Sequence, residues 1–249
     1  CNRMSIAAAR RRRIASRRIA RAPLALPCAI VLVVALAMPL LFASRANLTS
    51  DESLYYAEAY NIAHGRGFTY PSGEAITHRA PLYPMLLAPA VRVAGGDGAY
   101  AVAKVIVTVN ALLVMALAWR AAGGLAGTIA GVTAAAASYL NGLGTTLYLD
   151  PAQCTLLLAA LLALQQAMRD GRARWWALAG AVVGAAFLMK ESAVQWAPLG
   201  VAAWLAVPSL HGRDGARGAF AYTAAFSAVV APWWSWGYAQ YGDLFRLGP

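Results

Sequence analysis

Long stretches without a single charged residue alternate with short polar connectors along this chain. The uncharged runs cover 22–44, 105–119, 121–149, 151–168, 175–189, 192–210 and 218–242. An α-helix crosses the ~30 Å hydrocarbon layer with roughly 20 apolar residues, and ~17 to 25 are tolerated. Most runs reach that length; 105–119 and 175–189 are short and are expected to borrow flanking residues or the stems of snorkelling Lys and Arg. The pattern predicts an all-α, polytopic membrane protein of about seven transmembrane helices. A shorter apolar piece at 81–91 is interrupted by Arg92.

A polar, aromatic-rich island from Ser50 to Pro84 breaks this pattern. It lies in the first outer loop, 45–80, which is too rich in aromatic and apolar residues for a disordered tether. Thr49-Ser50-Asp51-Glu52 predicts the start of a juxtamembrane helix through Ala63, closed by His64 and Gly65. Thr49 and Glu52 fit a capping box, and acids in a first turn suit the helix dipole. Leu54, Ala57, Tyr60 and Ile62 are expected to form a loose apolar face resting on the membrane. Tyr70-Pro71-Ser72-Gly73 reads as a turn, and Pro81 and Pro84 bracket re-entry. Near the other end, Trp233, Trp234, Trp236, Tyr238 and Tyr241 read as an interfacial aromatic belt.

Composition strengthens the membrane reading. Of 249 residues, 60% are apolar and only 12% charged, where soluble domains carry about 25% charged residues. The net charge of +11 raises the question of nucleic acid, but its placement points to membrane lipids instead. Eight of the 21 basic residues (Arg3, Arg10 to Arg13, Arg17, Arg18 and Arg21) precede the first apolar run. That is the positive-inside signal, and it suits anionic head groups. The run 22–44 is longer than a signal-peptide core and has no convincing cleavage site, so it is expected to be retained. The expected organisation is a basic cytoplasmic segment at 1–21 followed by a transmembrane domain at 22–249. With the N-terminus inside, 14 basic residues fall on inner segments and 7 on outer ones, and Asp170 and Asp214 alone among ten acids fall inside. The Asp51 island is then outside, facing away from the cytoplasm of a cell (plasma or inner) membrane. Cys1, Cys28 and Cys154 form no disulfide framework or zinc spacing; no metal ligand and no cofactor is expected.

The candidate chemistry is concentrated in the island. Asp51 and Glu52 are neighbours, so on a helix they point about 100° apart; one should act and one support. Glu52 has the capping box to complete, which leaves Asp51 as the freer carboxylate, although both could be dipole-complementing acids. Arg79, held by a Pro-bounded turn after His78, is placed either to grip a lipid phosphate or to anchor on head groups. Lys190 could pair with Glu191 or neutralise a phosphate; Asp150 could face the same pocket or cap a helix. There is no P-loop, no G-x-G-x-x-G after a strand and no Asp-x-Asp, so an activated donor is more plausibly carried on a lipid than on a nucleotide.

The order of these elements resembles the N-terminal half of the membrane-embedded GT-C glycosyltransferases, the group of protein mannosyltransferases and aminoarabinose transferases. The matching features are the basic head, a first span, then Asp51-Glu52 with Tyr55 and Tyr56, Ala59-x-x-Ile-x-x-Gly, and His78-Arg79-Ala80-Pro81-Leu82-Tyr83-Pro84. Further matches are Gly180-x-x-x-Gly184 through Leu188-Met189-Lys190, and Ala231-Pro232-Trp233-Trp234 followed by Tyr241-Gly242-Asp243. Many relatives have two prolines where this chain has Ala80-Pro81. The resemblance implies transfer of a sugar from a polyprenyl-phosphate donor, with inversion, to a lipid, glycan or protein acceptor. It gives Asp51 the role of base, with Glu52 beside it, and Arg79 that of phosphate ligand. Tyr55, His78, Asp150 and Lys190 become substrate-binding candidates. Relatives continue into further spans and a C-terminal domain, so this chain is expected to correspond to their N-terminal portion.

The rival reading is a non-catalytic polytopic protein, a transporter or a polyprenyl-phosphate-binding scaffold. Transporters place ionisable groups near the bilayer midplane, often on broken helices. The clustering of acids near one surface favours surface chemistry.

Overall fold

The computed structural model describes residues 25–41, 50–70, 72–76, 79–143 and 145–242. It is a helical bundle: α1 Ala25–Leu41, α2 Ser50–Ala63, α3 Leu82–Ala122, α4 Gly124–Leu140, α5 Asp150–Asp170, α6 Ala173–Met189, a 3₁₀ helix Glu191–Trp196, α7 Leu199–Ala206, a 3₁₀ turn Pro208–Leu210, and α8 Arg213–Tyr241. Among the described residues the one β contact is a bridge between Thr69 and Ala75. It closes a small hairpin in which Gly73 donates to the Tyr70 carbonyl at 2.9 Å, as the turn signal implied. The expected all-α membrane architecture is what the chain adopts. Leu82–Ala122 and Asp150–Asp170 are long and apolar enough to cross a membrane; α1, α4 and α6 are apolar helices of 17 residues each, about 26 Å long at 1.5 Å per residue.

The apolar runs do not map one to one onto helices. The piece at 81–91 and the short run 105–119 are joined in α3, which breaks at Ala94 and Gly95, where Gly95 has φ 55°. Beyond the break the helix borrows Asp97 to Lys104 to gain length. A Cβ on Gly98 would lie 2.1 Å from the Ala90 carbonyl oxygen, so the two limbs meet at a corner that only glycine fits. The run 121–149 ends as helix at Leu140 and becomes a loop from Asn141. The run 192–210, expected as one span, is instead three short pieces divided at Pro198 and Pro208. Proline lacks the amide proton a continuous helix needs, and the residue before it avoids the helical region.

Small residues bring the helices into contact. On α6, a Cβ at Gly180 would fall 2.0 Å from the Tyr222 carbonyl oxygen of α8, and one at Gly184 2.9 Å from Val229 Cβ. On α4, Gly127 and Gly131 meet Met115 and Trp119 of α3 in the same way. Without a hydrophobic driving force in lipid, such close backbone approach is what holds spanning helices together. Trp234 packs edge-on to Phe187 and Phe226, so it belongs to the α6–α8 core and not to the aromatic belt expected of it. Trp233 and Trp236 stack on each other with centroids 4.9 Å apart.

The bundle has two chemically different ends. Asp170, Gly171, His211, Arg213 and Asp214 share a hollow at one end. There Arg169 donates to the Arg120 carbonyl at 3.2 Å, and Arg120 bonds Leu162 O and Gln166. At the other end α2 lies on the start of α3. Its packed face is Tyr55, Tyr56, Ala59, Ile62 and Ala63 against Tyr83, Leu87, Ala88 and Val91, and Tyr60 remains exposed. This differs from the loose face expected, because α2 rests on protein.

Candidate active site

A cavity of about 240 Å³ opens at the α2 end of the bundle, lined by Asp51, Tyr55, Arg79, Tyr83, Lys190 and Glu191 among others. Four chain segments far apart in sequence build it, the loop before α5 contributing Leu149. Helix α2 supplies Asp51 and Tyr55, four residues apart and therefore on one face. The turn before α3 supplies Arg79, and Pro81 fixes the helix entry behind it. The junction of α6 with the 3₁₀ helix supplies Lys190, in an extended conformation (φ −155°, ψ 127°), and Glu191.

The charges are arranged as pairs. Arg79 Nη2 lies 3.9 Å from Asp51 Oδ1, and the guanidinium carbon sits 5.4 Å from the centroid of the Tyr55 ring. Arg79 is thus held over an aromatic face with its charge toward the cavity. Lys190 Nζ donates to Asp150 Oδ1 at 2.6 Å. Lys190 therefore pairs with Asp150 and not with its neighbour Glu191, and Asp150 is the first residue of α5 and not its cap. Gln153 fixes this strand of backbone, donating to the Lys190 carbonyl at 3.0 Å and to Ser192 Oγ at 3.2 Å.

Glu52 plays a different part. It is 2% exposed, and its Oε1 accepts the Leu147 amide proton at 2.7 Å. The Leu147 carbonyl in turn accepts from the Tyr83 hydroxyl at 2.9 Å. Both backbone groups of one residue, Leu147, in the 141–149 loop are thus tied down next to Leu149 and Asp150. Glu52 is a buried tether facing away from Asp51. The capping partner Thr49 lies outside the described residues, and so does His78.

Three residues at this end were not among the expected site residues. Tyr83 stands edge-on to Tyr55, with centroids 5.3 Å apart at 87°. Glu191 is pushed up by burial, against backbone amides of its own and of Ala80 and the charges of Arg79 and Lys190. Glu58, 1% exposed, is pushed up to about 7 by burial, with Arg79 opposing. The spacing Asp51, Tyr55, Glu58 repeats on one helix face and was the available signal. Burial also pushes the Tyr55 hydroxyl up to about 12, with Arg79 again opposing, so it stays protonated as a donor.

An all-helical bundle with apolar spans and an ionisable cavity at one end defines the class: a polytopic membrane protein. Among the described residues the buried acids, Glu52 and Glu58, both belong to α2. The chain belongs to the dolichyl-phosphate-mannose-protein mannosyltransferase family, whose model matches residues 78–236. Membership makes it a membrane glycosyltransferase of the group that draws on polyprenyl-phosphate-linked sugars. The matched region contains Arg79, Asp150 and Lys190, while Asp51, Glu52 and Tyr55 precede it. No curated protein and no solved structure matches the chain.

Proposed function

We propose that this chain transfers a sugar from a polyprenyl-phosphate-linked donor to a hydroxyl of a lipid, glycan or protein acceptor, with inversion, at the outer face of the cell membrane. The observation that carries the reading is the meeting of Asp51 and Arg79, a carboxylate and a guanidinium, in one cavity over Tyr55. An acceptor hydroxyl is a poor nucleophile near neutral pH, so a carboxylate that takes its proton assists attack. In the proposed step the acceptor O–H proton passes to Asp51 and the oxygen bonds the anomeric carbon. The bond from that carbon to the phosphate oxygen breaks, and the electron pair leaves with the polyprenyl phosphate. The phosphate gains a second negative charge as it leaves. Arg79, with Lys190 beside it on the cavity wall, stabilises that charge. Asp150 holds Lys190 in place, and His78 next to Arg79 is assigned to substrate binding.

The test is binding of a polyprenyl-phosphate sugar to purified variants in nanodiscs. Losing a charge-assisted hydrogen bond costs about 1.5–3 kcal/mol, so Arg79→Ala is expected to bind roughly ten- to a hundredfold more weakly. Arg79→Lys also weakens binding, because a point charge lacks the planar fork. Lys190→Ala has the smaller effect, since its charge is already met by Asp150. Wild-type binding by Arg79→Ala would remove this residue from the donor site.

A further inference from the structure

Two polar atoms at this end, one on Glu58 and one on Arg79, are left without a partner. Among the described residues six buried side-chain polar atoms lack a hydrogen-bond partner, and two of them, Glu58 Oε1 and Arg79 Nη1, belong to a carboxyl and a guanidinium. One is an open acceptor and the other an open donor. Glu58 is 1% exposed and follows Asp51 by seven residues and Tyr55 by three, so the three side chains share one face of α2. Arg79 crosses that face, over the Tyr55 ring with Nη2 toward Asp51. Its charge acts on both Tyr55 and Glu58. A carboxyl buried without a full set of partners is costly unless it serves a nearby cation or takes up a proton.

We propose that Glu58 is a positioning residue for Arg79: its buried carboxylate is the counter-charge that draws the guanidinium onto α2 and competes with the donor phosphate for it. The proposal rests on the reading that Arg79 binds that phosphate. When the phosphate engages Arg79, the counter-charge is no longer needed, and Glu58 takes up a proton. Donor binding is therefore linked to protonation of a group that neither touches the donor nor reacts.

The sign follows from the carboxyl standing at about 7. Below that pH Glu58 is neutral and Arg79 is free for phosphate; above it the carboxylate competes and donor binding weakens. Among the described residues the other ionisable groups lining the cavity with Arg79 are Asp51 and Tyr55 on α2, Tyr83 on α3, and Lys190 and Glu191 across it, with Asp150 paired to Lys190. Tyr55, held up at about 12, does not titrate in this range. Subtracting the Glu58→Gln profile from that of the wild type cancels what the remaining groups and His78 contribute.

The probe is a short-chain polyprenyl phosphate methyl ester, a phosphodiester of constant charge, titrated onto the full chain in nanodiscs between about pH 6 and pH 8.5. Linkage to one proton limits the slope to tenfold per pH unit, and roughly three- to tenfold weakening across the range is expected for the wild type. Glu58→Gln is expected to keep the low-pH affinity throughout, and the difference between them should vanish on an Arg79→Ala background. If Glu58→Gln follows the wild-type profile while Arg79→Ala loses binding, Glu58 has no such role and the Arg79 reading stands. If Arg79→Ala binds like the wild type, the Arg79 reading fails and the present one with it. Should Glu58→Gln not accumulate folded, Glu58→Asp decides: a displaced midpoint of the pH profile supports the proposal, and an unchanged midpoint overturns it.

Discussion

Removing the Glu52 side chain should unfold the active end of the molecule before it touches any chemistry. Glu52 Oε1 accepts the Leu147 amide proton at 2.7 Å, and Glu52 and Leu147 are 2% and 0% exposed. Glu52→Ala leaves that N–H buried without an acceptor and opens a void beside it. An orphaned buried donor costs about 1–3 kcal/mol. Glu52→Gln keeps an amide oxygen at the same reach, so only the charge assistance is lost, roughly half of the bond's strength. For a chain of this size 1 kcal/mol moves the unfolding midpoint by about 2–4 °C. Glu52→Ala should therefore lower the Tm in detergent by roughly 3–10 °C, and Glu52→Gln by less than half as much. Tyr83→Phe removes the bond to the carbonyl of the same residue, Leu147, so its combination with Glu52→Ala should be non-additive. Thermal unfolding followed by intrinsic fluorescence reads all four proteins. An unchanged Tm for Glu52→Ala, with transfer activity lost, would refute the tether and return Glu52 to the chemistry.

Two other predictions concern the bundle. In a chain whose native cysteines are replaced, Ser72→Cys should react with an impermeant thiol reagent on intact cells and Gly212→Cys should not. Gly212 suits the test because a Cβ there meets nothing within 4 Å, whereas at Gly215 it would lie 1.9 Å from the Leu210 carbonyl oxygen; the reverse labelling would invert the topology. Gly180→Ala should cost more than about 2 kcal/mol, since its Cβ would fall 2.0 Å from the Tyr222 carbonyl oxygen and α6 must move off α8. Gly237→Ala, with open space around it, should be neutral or slightly stabilising by the same Tm measurement.

Much of the architecture was legible because lipid imposes one rule, that apolar runs become helices whose backbone is satisfied internally. The bounds of α2 were legible for a local reason: acids open it and Gly65, at φ 73°, ends it. What the sequence hid was tertiary. Nothing local distinguishes Glu52 facing Leu147, 95 residues away, from a Glu52 closing a capping box. Lys190 has an acid beside it at 191, yet pairs with one 40 residues earlier, because α5 and α6 run side by side and bring Asp150 to its level. Glu58 passed unnoticed because one carboxylate on a mixed helix looks solvated until burial is known. The fragmentation of 192–210 was legible in Pro198 and Pro208 and was outweighed by the length of the uncharged run.

The central claim is that Asp51 is the base of a lipid-donor glycosyl transfer, and it is tested most directly by one comparison. The wild-type chain and Asp51→Asn are reconstituted in nanodiscs with a panel of labelled polyprenyl-phosphate sugars, and release of label from the lipid is followed alongside donor binding. Loss of a positioned general base costs typically ~10² to 10⁴ in rate. The account predicts that one sugar leaves the lipid with the wild type, and that Asp51→Asn slows this at least about a hundredfold while binding the donor within a few-fold of normal. Release by Asp51→Asn at the wild-type rate would contradict it.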